Sequence, residues 1–103
     1  MTGIPLTHVT SLGRSGALDR AWTMFNTAGY DGVTDNPAVF AVKGRLFKDM
    51  ALRADGAERM IHLSNAESAY AAAASLDPQP WLLINVATLA ALRGEVSRAA
   101  SVA

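Results

Sequence analysis

The sequence predicts an all-α fold, a right-handed superhelix in which antiparallel helix pairs stack on one another. The main observation is a set of small and aromatic residues at i, i+4, i+7 and i+12: Ala66, Tyr70, Ala73 and Pro78. Related sets lie upstream and downstream of it: Gly16, Ala21, Phe25 and Ala28, and then Gly94, Ala99 and Ala103. Ala66 and Ala99 are 33 residues apart, close to the period of about 34 residues in repeated helical hairpins.

This pattern resembles the second helix of a tetratricopeptide-like repeat, in which each hairpin buries its apolar face only by stacking on the next. The first helix of the middle repeat agrees, because Phe40, Gly44 and Phe47 place a small residue between two aromatic ones on one face. We expect Gly44 to let the partner helix approach closely. Lys43 departs from the pattern, which usually has an aliphatic residue there. The corresponding residues of the third repeat are Leu83, Val86, Ala87 and Ala90.

Capping residues divide the chain into six predicted helices. Asn36-Pro37 and Asp77-Pro78 each place an N-capping side chain before a proline, and Asp55 with Glu58 forms a capping box between the middle pair. The predicted helices cover residues 5–13, 17–28, 37–54, 57–76, 79–92 and 95 to the end. Ala21 and Ala66 are 45 residues apart, so the middle repeat is longer than the usual period of about 34 residues. The additional residues lie in the link at 29–35 or in longer middle helices.

Length and composition indicate one small helical domain over residues 1–103. The chain is 50% apolar, nine basic residues balance nine acidic ones, and there is no cysteine. A neutral chain lacks the basic surface of a nucleic-acid binder or of a polybasic membrane adaptor. No secretory signal precedes the first helix, and no apolar run approaches the roughly 20 residues of a membrane span. We therefore expect a cytoplasmic location.

Three segments match a narrower family in their order and spacing: residues 44–49 (GRLFKD), 66–70 (AESAY) and 84–89 (INVATL), with Gly94 beyond them. Together they resemble the TRAFs-binding domain, a tetratricopeptide-like domain of apoptosis signal-regulating kinases and of bacterial repeat proteins. The resemblance covers about residues 40–99 and implies a helical scaffold that docks regulatory partners. The chain has no kinase motifs, so only the scaffold role is implied.

Polar residues on the first helices of two successive repeats form the candidate site. Arg45, Lys48 and Asp49 share one face by i+3 and i+4 spacing, and the equivalent face of the next repeat should lie beside them on the concave wall. The candidate partner-binding residues are Arg45, Lys48, Asp49, Trp81, Asn85 and Thr88. They could bind the carboxylates and carbonyls of an extended peptide. Alternatively, Asp49 pairs with Arg45 and hydrogen-bonds Asn85, which would only hold the repeats together.

The sequence contains no constellation of residues for catalysis or metal binding. His8 and His62 lie far apart, and neither has a histidine or carboxylate at the spacing of metal ligands. No serine lies in a nucleophile motif. We therefore expect a non-enzymatic protein without cofactor or metal, whose partner is a protein or peptide and not a nucleic acid or membrane.

The last predicted helix carries an apolar face that no later repeat covers. Its residues are Val96, Ala99, Ala100 and Ala103. Because a terminal repeat needs a polar outer face, we expect either a segment of a longer protein or a homodimer formed through this face. The alternative to a partner-binding scaffold is therefore a self-associating module that arranges attached domains.

Overall fold

The structure is a computed structural model that describes the backbone of residues 5–102 and the side chains of residues 5–95. It contains five α-helices, and no strand occurs in the described part. The helices are α1 (Leu6–Arg14), α2 (Leu18–Thr27), α3 (Pro37–Leu52), α4 (Gly56–Leu76) and α5 (Pro80–Val102), with a 3-10 turn at Tyr30–Gly32. The prediction of an all-α fold is confirmed.

Helices that follow one another in the chain pack together, α1 with α2, α3 with α4, and α4 with α5. Helix α3 also contacts both α1 and α2, so the second pair stacks on the first. The molecule measures 48 × 29 × 21 Å along its principal axes, an elongated shape that suits a stack. The described chain is thus two complete helix pairs followed by the first helix of a third.

The first five predicted helix starts are correct to within one residue, but only one predicted cap forms. Asn36 Oδ1 accepts a hydrogen bond from the Ala38 amide at 3.0 Å, ahead of Pro37 in the first position of α3. The capping box predicted at Asp55 is wrong, because this side chain makes no capping hydrogen bond. The cap predicted at Asp77-Pro78 is also wrong. Helix α5 begins later, at Pro80, and Asp77 Oδ1 accepts from the side chain of Gln79.

The predicted break before residue 95 does not occur, since α5 continues without interruption to Val102. One glycine inside a helix costs only about 1 kcal/mol, and no proline follows Gly94 to end the helix. Arg93 is also fixed by Glu67 of α4, whose Oε2 lies 2.9 Å from the arginine Nη2. The third repeat therefore has its first helix and, within residues 5–102, no second one. The side chains of Val96, Ala99, Ala100 and Ala103 lie outside the described residues.

The second-helix alanines of the first two repeats are buried, as their spacing predicts. Ala21, Ala66 and Ala73 are completely inaccessible to solvent. One apolar cluster joins α1 and α2 to one side of α3, and a second joins α4 and α5 to the other side. Helix α3 therefore forms the central wall of the molecule and contributes to both clusters.

A row of ring contacts crosses from the first pair to the second. Its members are Tyr30, Phe25, Trp22, Phe47 and His62, with neighbouring ring centroids 5.8, 5.7, 5.0 and 6.1 Å apart. Trp22 on α2 contacts Phe47 on α3, and Phe47 in turn stacks on His62 of α4. Such contacts add to the effect of area burial, so the row ties the two repeats together.

Helices α3 and α4 approach each other closely at Gly44, as the sequence indicates. A Cβ atom on this residue would lie 2.8 Å from Cδ2 of Tyr70 on α4, closer than van der Waals contact allows. Tyr70 is itself buried, with 5% of its surface exposed, so its ring has little room to move. Gly44 therefore serves packing, whereas no heavy atom lies within 4 Å of a Cβ on Gly94.

We expect Gly44→Ala and Gly94→Ala to change stability in opposite directions. The first overpacks the α3–α4 contact and should destabilise the fold by about 1–3 kcal/mol. The second adds a methyl group to open space in a helix and should stabilise it by about 0.5–1 kcal/mol. Urea unfolding followed by circular dichroism measures both. Equal effects of the two substitutions would contradict the close packing at Gly44.

Candidate partner-binding groove

A cavity of about 500 Å³ opens between the N-terminal ends of α3 and α5. Its lining is mainly apolar and consists of Pro37, Ala38, Ala41 and Val42 of α3, with Asp77, Gln79, Trp81 and Leu82 from the start of α5. Trp81 is 51% exposed, so its indole borders the cavity without filling it. The candidate polar residues lie farther along the same two helices: Arg45, Lys48 and Asp49 on α3, and Asn85 and Thr88 on α5. We call the cavity together with these residues the α3–α5 groove.

Arg45 and Asp49 follow the cavity along α3, because Arg45 is one helical turn beyond Ala41. Arg45 Nε lies 3.9 Å from Asp49 Oδ2, and the two side chains are 43% and 31% exposed. This confirms the i,i+4 pairing that the structural alternative predicts. The Nε atom is buried and has no hydrogen-bond partner, so the pair leaves a donor of Arg45 unsatisfied.

Asn85 and Thr88 are bonded within their own helix. Asn85 Nδ2 donates to the Trp81 carbonyl and Thr88 Oγ1 donates to the Ile84 carbonyl, each at 2.8 Å. The hydrogen bond between Asn85 and Asp49, which the alternative also predicts, is absent from the described contacts. The i−4 carbonyl competes successfully for these short polar side chains. The tie between repeats therefore does not form at this point.

Lys48 is the basic residue of this region that has no polar partner among the described residues. The other basic side chains of α3, α4 and α5 within residues 5–95 all make polar contacts: Lys43, Arg45, Arg53, Arg59 and Arg93. Lys48 is half-buried and makes neither an ion pair nor a hydrogen bond with the described residues. Its ammonium group is thus available to an external anion.

Lys43, which departs from the repeat pattern, has a structural role. Its Nζ lies 2.8 Å from Asp31 Oδ1 in the 3-10 turn, so it holds the link between the pairs. Arg53 similarly donates to the Gly16 carbonyl at 3.3 Å. Arg93 Nε donates to Glu67 at 2.9 Å. These contacts join different segments of the fold, in contrast to the local bonds of Asn85 and Thr88.

Tyr70 connects the groove to the core, a link that the sequence did not reveal. Burial raises the pKa of its hydroxyl above the usual 10.0, while the nearby Arg45 charge lowers this pKa and the Asp49 charge raises it. Both charges act on the hydroxyl of a side chain whose ring packs against Gly44. Arg45 and Asp49 therefore lie near the α3–α4 contact as well as beside the groove.

Sequence reasoning also missed the apolar lining of the cavity. Ala38, Ala41 and Val42 carry no polar chemistry and resemble ordinary core residues of an apolar helix. Their spacing of three and four residues places them on one face, which is the same face as Arg45. This shared face with Arg45 is the sequence signal that could have identified the three lining residues.

Of the two histidines, His62 makes contacts within the protein. His62 stacks on Phe47 and lies 3.7 Å from Glu58, and residues 5–95 contain no group of three side chains placed to hold a metal ion. None of the helices among the described residues combines the length and hydropathy that crossing a bilayer requires.

Two stacked helix pairs, followed by the first helix of a third, define a helical-repeat protein of the tetratricopeptide type. The chain belongs to the Tetratricopeptide Repeats-Sensor family, whose family model matches residues 6–90. Domains of this type are generally non-catalytic and generally bind protein partners. No curated protein and no solved structure matches the chain. The narrower resemblance to the TRAFs-binding domain stays a prediction.

We expect Tyr70 to make stability depend on pH under alkaline conditions. Because the pKa of Tyr70 is raised in the folded state, its neutral form stabilises the fold below the usual pKa, and this stabilisation is lost as pH rises through the raised value. The free energy of unfolding in urea should therefore fall above about pH 10. Tyr70→Phe should reduce that fall. An unchanged pH dependence in this variant would contradict the assignment.

Proposed function

We propose that the α3–α5 groove binds an extended segment of a protein partner, and that the protein acts as a scaffold or regulatory segment. The observation that carries the proposal is the continuity of an apolar cavity, bordered by Trp81, with cationic groups on the next turns of α3. An apolar side chain of the partner would enter the cavity. An acidic group of the partner would lie beside Arg45 and Lys48.

The apolar end of the groove would supply most of the affinity. A half-exposed tryptophan beside a concave apolar surface is typical of the residues that dominate binding energy at interfaces. Ala38 and Ala41 present only small side chains to the cavity, which leaves room for a larger group from the partner. Closing the cavity would remove both the indole and the partner's apolar group from water.

The polar end would select the partner. Lys48 can donate to a carboxylate without giving up an existing contact, and Arg45 has an unsatisfied Nε. A partly exposed ion pair such as Arg45–Asp49 contributes only about 0–1 kcal/mol, so redirecting Arg45 toward a partner carboxylate costs little. Asn85 and Thr88 keep oxygen acceptors that can bind the partner's backbone amides. These features favour a segment with an apolar residue followed by an acidic one.

The family's description as a sensor supports a regulatory role for this groove. The proposed setting is a cytoplasmic protein in which residues 1–103 form one domain and attached domains respond to occupancy of the groove. The resemblance to the TRAFs-binding domain supports the same role.

Self-association is a second candidate function. The face predicted for it, formed by residues 96–103, has no described side chains. An apolar surface farther upstream on α5 supports it independently, because Leu83 and Ile84 are 54% and 64% exposed.

A library of random peptides, selected on the protein, provides the test of the groove. We expect enriched peptides to combine an apolar residue with a nearby acidic one. Trp81→Ala should weaken the selected peptides by about tenfold or more, and Lys48→Ala and Asn85→Ala should weaken them with little change in melting temperature. Losing one charge-assisted hydrogen bond costs about 1.5–3 kcal/mol.

Matched controls are Ile61→Ala, an exposed apolar residue of α4, and Arg20→Ala, an exposed cation of α2. Neither should alter peptide affinity. A lowered melting temperature with unchanged affinity in the Lys48 and Asn85 variants would instead assign these residues to the stability of the repeat stack.

A further inference from the structure

One face of α5 is apolar and uncovered along three helical turns. Its residues are Pro80, Leu83, Ile84, Ala87 and Ala91, all of them exposed, and we call them the outward face of α5. The buried side of the same helix is also apolar, since Leu82 and Leu89 are 2% and 0% exposed. Residues 78–92 contain no charged residue. Asn85 and Thr88 are the only polar side chains of residues 80–92, and a helix that is apolar over most of its surface is normally buried on more than one side.

In the middle repeat the corresponding face is covered. Ala87 has the repeat position of Gly44, and Gly44 is the residue on which Tyr70 of the second helix packs. No second helix covers α5 within the described chain, whose main contact with α5 is made by α4. Because α5 stays helical to Val102, the residues after Gly94 extend away from the outward face and do not fold back over it.

We propose that the outward face of α5 binds the same face of a second copy, with the two helices antiparallel about a twofold axis between Ile84 and Ala87. This inference deepens the second candidate function and is independent of peptide binding in the groove. The reason for the antiparallel arrangement is the distribution of side-chain sizes. The N-terminal half of the face carries the large residues Pro80, Leu83 and Ile84, and the C-terminal half carries Ala87 and Ala91.

Antiparallel pairing places large side chains opposite small ones in both halves of the interface. Ile84 of one copy lies against Ala87 of the other, and Pro80 lies against Ala91. A parallel pair would instead oppose large to large and leave a gap between the alanines, at odds with close packing. The antiparallel arrangement also opposes the two helix dipoles. A twofold interface brings the same surface of two copies together. Because this face has no charged residue, the two copies meet without charge repulsion.

The dimer leaves the groove accessible from the other flank of α5. With about 3.6 residues per turn, Trp81, Asn85 and Thr88 lie on the flank away from Leu83. Peptide binding and dimer formation therefore use different side chains. A contact through five side chains of one helix is smaller than the roughly 20–30 residues a side of a standard interface, so we expect a dimer that dissociates in the micromolar range.

Sedimentation velocity over a range of concentrations tests the dimer. The full chain should change from monomer to dimer as concentration rises to a few hundred micromolar. Ile84→Glu places a charge in the apolar contact and should weaken association by about tenfold or more. Ile61→Glu is the matched control, because Ile61 is similarly exposed at 59% but lies on α4, and it should leave association unchanged.

Two results would overturn the proposal. One is a wild-type chain that remains monomeric at every concentration. The other is an Ile84→Glu variant that associates normally but melts at a lower temperature, because the face would then be covered within one chain. Retained peptide affinity in a monomeric Ile84→Glu variant would show that the groove works without the dimer. Loss of peptide binding in Trp81→Ala with dimerisation intact would separate the two functions in the other direction.

Spin labels distinguish the two orientations of the helix pair. The chain has no cysteine, so Thr88→Cys and Glu95→Cys each provide one labelling position outside the outward face. With a rise of about 1.5 Å per residue, antiparallel helices separate the two copies' labels along the axis by about 8 Å at residue 88 and about 28 Å at residue 95. Equal distances at both positions would indicate parallel helices and overturn the proposed geometry.

Discussion

The close contact between Gly44 and Tyr70 is the constraint on which the rest of the structure depends. The tyrosine ring occupies the space in which any other residue at position 44 would place its Cβ, so α4 lies against α3 at short distance. That distance buries Ala66 and Ala73, one turn to either side of Tyr70. The hydroxyl end of the same ring lies in the field of Arg45 and Asp49. The contact therefore positions both the core and the polar end of the groove.

The surface of helix α3 has three sides with different roles. One side packs on the first helix pair, a second side packs on α4 and α5, and the remaining strip borders the groove. The first two sides are apolar and supply the stability. The strip contains the partly exposed Arg45–Asp49 pair, whose contribution to stability is small. Under the proposed function, substitutions in this strip would therefore change binding specificity at low cost to the fold.

The sequence predicted those features that one residue type enforces locally. Buried alanines and a glycine at helical spacing identified the stacked pairs, and Asn36 with Pro37 identified the start of α3. The prediction failed where a local signal competes with tertiary contacts, as at Gly94, whose helix penalty is small beside the packing of α5 on α4. In the groove, the Arg45–Asp49 pair followed from spacing within one helix. Ala38 and Ala41 did not stand out, because a cavity is a relation between two helices and alanine has no chemistry of its own.

The row of rings from Tyr30 to His62 has a consequence for the way the molecule unfolds. In repeat proteins, cooperativity depends on the coupling energy between neighbouring units relative to the stability of each unit. Helix α2 is only ten residues long, too short to persist alone in water, and its Trp22 and Phe25 belong to this row. The order of the first pair therefore depends on its contacts with the second, and we expect the two repeats to unfold together in one transition.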